Sequence, residues 1–314
     1  MVTNFCSNFA VMKIVLAFDS FKGCLTAEEA CEAARDGILA VREDAEVKSV
    51  PLSDGGEGLV KCFLRMGKAE AVSVRVHGPL MEEVTAEYAI SHDGKTAYME
   101  MAAACGLMLV PEERRNVMDA TTVGVGELLR DAVERGVRHI VLGIGGSATC
   151  DAGMGMLTVI RHLDEVSLTV ACDVSNPLYG ESGAACVFAP QKGSTPEQVE
   201  MLDRRLRAFA MATEEMGLAT REDAFRPGAG AAGGLGYALQ AYLGAELKSG
   251  IEVVLDACGF GQVLKGADWV ITGEGCSDEQ TTHGKVPFGV LKRAKHERVE
   301  TILMRSEERR VGKE

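Results

Sequence analysis

Short apolar segments that end abruptly in glycine, hydroxyl and carboxylate residues recur along this chain. In one of them, residues 140–144 form an apolar run, and Gly145-Gly146-Ser147 follows it directly. An apolar run this short and bounded by glycine predicts a buried strand. Glycine lets the backbone approach a bound group closely and point its N–H groups outward. The segment therefore predicts either a phosphate-binding loop or a plain tight turn.

The chain opens with the pattern of a β-α-β unit. Residues 12–18 predict the first strand, and the capping-box pair Thr26 and Glu29 predicts the start of a helix. Apolar residues then continue at helical spacing as far as Val41, and residues 47–52 predict a second strand. Such alternation is typical of an α/β protein with a parallel sheet.

The middle of the chain has a different pattern. Residues 72–76, 84–91 and 97–101 predict three strands, the last two joined by the turn signal His92-Asp93-Gly94. A meander between α/β segments predicts an inserted or second domain. Further along, the patterns predict helices at 122–135, 196–211 and around 235–243, strands at 168–171, 185–188 and 267–273, and either a helix or a strand at 251–255.

Composition restricts the partners and the compartment. The chain has 46 acidic and 33 basic residues, a net charge of -13, which argues against a nucleic-acid partner because phosphate neutralisation needs a basic face. Its ten cysteines include no C-x-x-C pair, and no apolar stretch reaches transmembrane length. We therefore expect a reduced cytoplasmic protein without a membrane partner. The oligomeric state does not follow from the sequence.

Polar, glycine-rich turns end five of the predicted strands. They lie at residues 19–23, 53–58, 145–147, 172–173 and 273–275. In open α/β sheets ligands bind outside the carboxyl ends of strands, so five such turns favour an active-site cleft over plain connections. Structural roles remain alternatives for single residues. Asp19 and Asp54 could cap helices, Ser147 could be an N-cap, and Lys22 and Lys285 could be solvated surface lysines.

Motif tests narrow the chemistry. No G-x-x-x-x-G-K-[ST] motif is present, so the chain is not a P-loop NTPase. The stretch from Gly228 to Gly233 matches G-x-G-x-x-G, but Arg226-Pro227 precedes it where a dinucleotide site requires a strand. A glycine-rich entry to a helix is the better interpretation, and an NAD-dependent oxidoreductase is the alternative. The histidines show no spacing typical of a metal site, so the metal ligands are unassigned.

Seven separated blocks carry a family likeness. They are Ala17-Phe-Asp-Ser-Phe-Lys-Gly23, Pro51-Leu-Ser-Asp-Gly-Gly-Glu-Gly58, Gly145-Gly-Ser-Ala-Thr149, Ala171-Cys-Asp-Val-Ser-Asn-Pro-Leu178, Pro190-Gln-Lys-Gly193, Pro227-Gly-Ala-Gly-Ala-Ala-Gly-Gly-Leu-Gly236, and Ile271-Thr-Gly-Glu-Gly275 with Gln280-Thr281 and Gly284-Lys285. In these blocks, spread in family order from residue 12 to about residue 296, the chain resembles the type I glycerate kinases, the bacterial glycerate 2-kinase family.

The resemblance implies two α/β domains. A Rossmann-like domain would comprise residues 12–75 with about 265–300, and a second mixed α/β domain, about 76–264, would be inserted in it. Residues 1–11 would be an extension and residues 301–314 a tail outside the family pattern.

The resemblance also implies ATP-dependent phosphorylation of D-glycerate to 2-phosphoglycerate, with Mg2+ accompanying the ATP. Phosphoryl transfer depends on positioning and charge stabilisation, with a carboxylate near the acceptor hydroxyl as base. The catalytic candidates are Asp173, Asp278 and Lys22. Substrate contacts are expected from Asp19, Ser20, Asp54, Gly55, Gly56, Gln280, Thr281 and Lys285, and nucleotide contacts from Gly145, Gly146, Ser147, Gly273, Glu274 and Gly275.

The chain departs from the family pattern at three places. It is shorter between Leu157 and Leu168, and Cys276 stands where the family usually has an arginine, a fixed cation that a thiol cannot replace. The likeness stops near Glu297, so the first domain is expected to be truncated and to leave apolar sheet surface uncovered. These departures leave a non-catalytic nucleotide- or metabolite-binding relic as a further alternative.

Overall fold

The computed structural model describes residues 11–21, 24–53, 58–274 and 285–305. The chain divides into two compact units: unit 1 comprises residues 1–54 and 255–314, and unit 2 comprises residues 55–254. The first boundary between the units, at residues 54 and 55, lies about twenty residues before the boundary that the sequence predicts at residue 75. The reason is that the strand Ala69–His77 pairs along its whole length with the strand Glu83–Ser91 of unit 2.

The strands of the described residues are numbered in chain order. They are β1 (Lys13–Phe18), β2 (Glu46–Ser49), β3 (Ala69–His77), β4 (Glu83–Ser91), β5 (Thr96–Glu100), β6 (His139–Gly143), β7 (Ser167–Ala171), β8 (Glu246–Lys248), β9 (Trp269–Glu274) and β10 (Glu300–Arg305).

The α-helices of the same residues follow in the same order. They are α1 (Ala27–Val41), α2 (Leu59–Arg65), α3 (Ala102–Cys105), α4 (Val123–Glu134), α5 (Met154–Val159), α6 (Ala184–Phe188), α7 (Pro196–Glu215), α8 (Ala231–Leu243), α9 (Gly250–Ala257), α10 (Phe260–Leu264) and α11 (Val286–Glu297).

Unit 1 contains a parallel sheet in the order β10-β9-β1-β2. The connection through α1 leads from β1 to β2 on one side, and the connection through α11 leads from β9 to β10 on the other. The predicted capping box starts α1, because the Glu29 N–H donates to Thr26 Oγ1 and the Thr26 N–H donates to Glu29 Oε2. Because the connections from β1 and from β9 lead to opposite sides of the sheet, the strand order reverses between these two strands, which makes that point a topological switch.

Unit 2 contains a mixed sheet in the order β3-β4-β5-β6-β7-β8. Strands β3, β4 and β5 form the predicted antiparallel meander, and β5 to β8 run parallel. Buried apolar residues of α4, α5 and α8 share one core with the strands of this sheet, among them Leu128, Met156 and Leu235. The α/β class predicted from the sequence is confirmed.

One predicted strand is wrong. The sequence indicates a strand at residues 185–188, but Ala184–Phe188 is the helix α6. Its small residues Ala184 and Ala185 are fully buried in a second core with Leu202 of α7 and Tyr237 of α8. A five-residue apolar run fits a strand and a buried helix equally well, so tertiary packing decides between them. For the undecided residues 251–255, the structure shows a helix, α9.

Unit 1 has an apolar groove beside β9 and β10. It has a volume of about 490 Å3 and is lined by side chains that include Ile38, Val41, Trp269, Ile302 and Met304. Ile302 is 42% exposed and Met304 is 47% exposed, although both lie in a paired strand. That truncation of the first domain leaves apolar sheet surface uncovered stays a prediction. Strand β10 itself contains residues 301–305, which the sequence analysis assigned to a non-family tail.

Replacement of both Ile302 and Met304 by lysine is expected to reduce self-association. Exposed apolar patches promote association, and lysine on an edge strand opposes it. Light scattering over a range of protein concentrations measures the effect. The matched control replaces Met211 and Met216, which are exposed but lie in or next to α7, far along the chain from the groove residues. Equal scattering by both double variants and the parent chain would contradict the prediction.

Candidate active site

The carboxyl ends of four parallel strands of unit 2 form one edge of its sheet. Glu100, Gly143, Ala171 and Lys248 are in register across β5, β6, β7 and β8. The segment 145–147 follows β6, which lies between β5 and β7. Neighbouring strands are about 4.8 Å apart. The predicted nucleotide-binding residues of unit 2 therefore lie between Glu100 on one side and the β7 end on the other.

The segment from Gly145 to Ser147 presents hydrogen-bond donors. The Gly146 carbonyl accepts from the Leu107 N–H at 2.8 Å, and Gly146 has a left-handed φ of 69°. Within the described part of the chain, the backbone N–H groups of Gly145, Gly146 and Ser147 donate to no other group. Successive N–H groups without acceptors are suited to binding an anion. The segment thus has donors of the kind that an anion site requires.

A buried lysine lies against this segment. Lys192 Nζ donates to Ser147 Oγ and to the Thr149 carbonyl, both at 2.7 Å, and the residue is 4% exposed. Burial lowers the pKa of this amine to about 8, while Cys150 and Asp151 act in the opposite direction. Sequence reasoning missed Lys192, although it belongs to the family block Pro190-Gln-Lys-Gly193.

The lowered pKa of Lys192 has a consequence for stability. Between pH values of about 8 and 10.5 the unfolded state binds more protons, so this lysine makes the free energy of unfolding rise with pH. Buried cysteines such as Cys150, whose pKa is raised to about 11, have the opposite effect. The test is therefore the difference between the parent chain and Lys192→Met in urea unfolding. The difference in their free energies of unfolding should shift in favour of the parent by on the order of 3 kcal/mol across this range. A pH-independent difference would contradict the prediction.

Two carboxylates at this edge hold the starts of helices. Asp173, which follows β7, accepts hydrogen bonds at Oδ1 from Ser249 Oγ at 3.0 Å and from the Gly250 N–H at 2.9 Å, where α9 begins. Glu100 accepts at Oε1 from the N–H groups of Gly58 and Leu59, where α2 begins. These contacts fix each carboxylate at the end of its strand. Glu100 was not among the predicted site residues.

A third carboxylate, that of Asp151, organises the chain beyond the loop. It accepts from the Thr122 N–H and hydroxyl, which precede α4, and from the N–H groups of Gly153 and Gly155 at the start of α5. One side chain thus satisfies donors at two helix ends, which are otherwise without partners. We interpret Asp151 as a structural residue that joins the starts of α4 and α5 after the segment Gly145–Ser147.

The Gly228–Gly233 motif has a packing explanation. A Cβ at Gly230 would lie 2.1 Å from the Pro177 carbonyl oxygen, and one at Gly233 would lie 2.1 Å from the Thr149 carbonyl oxygen. Gly233 also has a left-handed φ of 68°. These glycines let the chain pack against the segments that follow β6 and β7. A strand does not precede the motif; the residues before it form a 3-10 turn, Arg221–Phe225. The dinucleotide-binding alternative is not supported.

In unit 1, two predicted site residues meet at the switch point. The Asp19 N–H, just after β1, donates to the Gly273 carbonyl of β9 at 3.0 Å. Asp19 Oδ1 accepts from the Ser20 N–H at 2.6 Å. In open α/β sheets such a point, where neighbouring connections diverge, is the usual place of a ligand.

Glu274 and Lys285 also come together in unit 1. Glu274 is 5% exposed at the end of β9, and its Oε2 lies 3.8 Å from Lys285 Nζ at the start of α11. Packing of β9 against β10 explains the glycine at position 273, since a Cβ there would lie 2.2 Å from the Met304 carbonyl oxygen of β10. The predicted nucleotide residues Gly273 and Glu274 thus belong to unit 1, whereas Gly145, Gly146 and Ser147 belong to unit 2.

Several predicted site residues lie outside the described residues. They are Lys22, Asp54, Gly55, Gly56, Gly275, Asp278, Gln280 and Thr281, and the departure Cys276 lies there too. Among the residues that are described, no three His, Cys, Asp or Glu side chains are grouped so that they could hold a metal ion. No helix in the described ranges is long and apolar enough to cross a membrane.

The sequence profile of the glycerate kinase family matches residues 14–161 and 158–310. The two matches overlap at residues 158–161, within the region where the sequence analysis expects the chain to be shorter than the family pattern. The second match continues to residue 310, beyond Glu297, where the sequence analysis placed the end of the likeness.

Curated relatives match over nearly the whole chain. A protein named glycerate kinase from Halalkalibacterium halodurans is 44% identical over 323 residues, with 93% of this chain and 84% of the relative covered. A glycerate 2-kinase from Escherichia coli is 42% identical over 315 residues, with 90% and 82% covered. A crystal structure assigned as glycerate kinase 2 from Salmonella typhimurium LT2 superposes with a TM-score of 0.86 at 41% identity, over 94% of this chain and 87% of the other. This chain therefore belongs to the glycerate kinase family.

Proposed function

We propose that this protein transfers a phosphoryl group from ATP to D-glycerate and forms 2-phosphoglycerate. The observation that carries the proposal is the donor-rich segment Gly145–Ser147 at the carboxyl edge of the unit 2 sheet, in a chain of the glycerate kinase family. The relative named glycerate 2-kinase supports the position of phosphorylation. The alternatives of an oxidoreductase and a non-catalytic relic have no comparable support.

The nucleotide phosphates are assigned to the segment from Gly145 to Ser147. Three backbone N–H groups and one hydroxyl are available there to an anion, as the arrangement of phosphate-binding loops requires. Phosphoryl transfer needs such donors because negative charge on the equatorial oxygens must be stabilised while the groups stay in line. The family implies ATP as the donor of the phosphoryl group.

The base is assigned to a carboxylate, with Asp173 and Asp278 as the candidates. A carboxylate within hydrogen-bond reach of the acceptor hydroxyl can take its proton as the oxygen attacks phosphorus. Asp173 is held by Ser249 and Gly250 at the end of β7, on the sheet edge that carries the donor segment. A carboxylate fixed in this way loses little freedom when substrate binds.

Substrate contacts in unit 1 are assigned to Asp19 and Ser20, with Lys285 as a countercharge. The Asp19 backbone is fixed to Gly273 at the switch point, so its side chain starts from a defined position. Lys285 carries positive charge at the same end of β9, beside the carboxylate of Glu274. A lysine paired with a buried glutamate is oriented before an anionic substrate arrives.

Mg2+ is proposed as the companion of ATP. In kinase sites this ion is held by one or two carboxylates together with phosphate oxygens, so a cage of three protein ligands is not required. The oxygen chemistry of Asp173, and of Asp278 or Asp54 outside the described residues, fits that ligand set. When bound, Mg2+ supplies positive charge that offsets charge on the transferred phosphoryl group.

A coupled assay of ADP formation tests the proposal. ADP should form in the presence of MgATP only when D-glycerate is added, which separates a kinase from a relic. Titration with NADH serves as the control for the other enzyme class and should show no saturable binding. Glycerate-independent ATP consumption, or none at all, would contradict the proposed function.

A further inference from the structure

The contacts of Lys192 determine the direction of one hydroxyl proton. An ammonium group donates three hydrogen bonds and accepts none. At 2.7 Å from Lys192 Nζ, Ser147 Oγ must therefore be the acceptor. A serine hydroxyl has a single proton, and that proton must then point away from the lysine. Among the described residues, no group accepts it.

The hydroxyl proton adds to a set of donors of the same kind. The N–H groups of Gly145, Gly146 and Ser147 have no described acceptor either. The Thr149 carbonyl accepts a second hydrogen bond from Nζ at 2.7 Å, which holds the ammonium group in place. The turn that carries Lys192 packs closely against the chain at Arg115, since a Cβ at Gly193 would lie 2.8 Å from the Arg115 carbonyl oxygen. The buried positive charge of Lys192 is thus held next to the donor segment by these hydrogen bonds.

We propose that Lys192 is a positioning residue for phosphoryl transfer, which makes the Ser147 hydroxyl a donor to the nucleotide phosphate and supplies buried positive charge behind it. This inference rests on the proposed function, since it requires that the segment Gly145–Ser147 binds phosphate. It adds a residue that acts through Ser147 and that the sequence analysis did not assign.

The surroundings of Lys192 determine how the ammonium group responds to pH. Asp151 and Cys150, in the segment after β6, raise its pKa, and Arg115 lines the same small pocket as Lys192. Burial raises the pKa of the Cys150 thiol to about 11. Burial lowers the pKa of Lys192 to about 8. The negative charge of a phosphate group nearby would favour the ammonium form and raise this pKa again. Nucleotide binding above this pH should therefore take up a proton.

Calorimetric titration with the magnesium complex of adenylyl imidodiphosphate, a non-hydrolysable ATP analogue, tests this coupling. At about pH 9, in two buffers of different ionisation enthalpy, the parent chain should take up a proton on binding. Lys192→Met should show no such uptake and bind about ten- to a hundredfold more weakly, the range for losing a charge-assisted hydrogen bond. Lys95→Met removes an exposed lysine of the same unit and should behave like the parent.

Two further measurements keep the inference open to refutation if Lys192→Met folds poorly. Ser147→Ala retains the ammonium group, so it should still take up the proton while it binds the analogue more weakly. In the parent, kcat/KM should fall as pH rises through about 8, because the neutral amine no longer enforces the direction of the hydroxyl proton. Lys192→Arg keeps its charge at that pH, so any activity it has should lack this fall.

The outcomes separate this inference from the proposed function. If the parent binds the analogue and phosphorylates glycerate, but neither Lys192→Met nor Ser147→Ala changes affinity or proton uptake, the role of Lys192 is wrong and the function stands. If the parent neither binds the analogue nor forms ADP with glycerate, the proposed function itself is wrong.

Discussion

Asp173→Asn is expected to lower kcat by roughly 10²–10⁴, the usual contribution of a general base, if Asp173 takes the proton of the acceptor hydroxyl. Asparagine cannot act as a base, but its side-chain oxygen can still accept the hydrogen bonds from Ser249 and Gly250. The start of α9 should therefore keep its cap, and the folded structure should change little. Steady-state kinetics with saturating glycerate measures the effect.

Two variants make the result specific. Ser249→Ala removes one hydrogen bond to Asp173 and leaves the carboxylate, so kcat should fall far less than in Asp173→Asn. Asp278→Asn tests the other candidate in the same assay. A folded Asp173→Asn protein with the kcat of the parent would show that Asp173 is not the base. Parent-like rates in both asparagine variants would exclude both candidates.

Gly233→Ala is expected to reduce the free energy of unfolding by roughly 2–5 kcal/mol. The added Cβ would lie 2.1 Å from the Thr149 carbonyl oxygen, so the backbone of one segment must move. A left-handed φ costs an additional 1–2 kcal/mol, roughly, for a residue with a Cβ, and forced repacking costs a similar amount or more. Urea unfolding followed by circular dichroism measures the change.

Gly244→Ala, at the other end of α8, is the matched control. Gly244 has a left-handed φ of 64°, but nothing lies within 4 Å of the Cβ that would be added. Only the conformational cost of about 1–2 kcal/mol should remain. Similar losses in the two variants would mean that the glycine motif is explained by backbone conformation alone and not by its close approach to Thr149.

The sequence predicts elements whose causes are local. The capping box at Thr26 and Glu29 and the meander of β3, β4 and β5 can be recognised from neighbouring residues. Strand-end glycines such as Gly145 predict a ligand edge because parallel strands place their carboxyl ends together. For these features the pattern in the chain and the physical cause are separated by only a few positions.

Features that depend on distant residues could not be predicted. Lys192 acts on Ser147 across 45 positions, and Glu100 caps the start of α2 across about 42. A lysine or glutamate is usually a solvated surface residue, and no neighbouring residue indicates the contacts of Glu100 or Lys192, although Lys192 belongs to the family block Pro190-Gln-Lys-Gly193. Helix α6 was missed for a related reason, because burial against α7 and α8 decides its conformation.

Identification of the product by ³¹P and ¹H NMR tests the central claim most directly. The parent chain, incubated with MgATP and D-glycerate, should convert glycerate to 2-phosphoglycerate with one ADP formed for each product molecule. The phosphorus signal should couple to the single proton on C2. Formation of 3-phosphoglycerate, or no phosphorylated glycerate from a folded protein, would contradict the account.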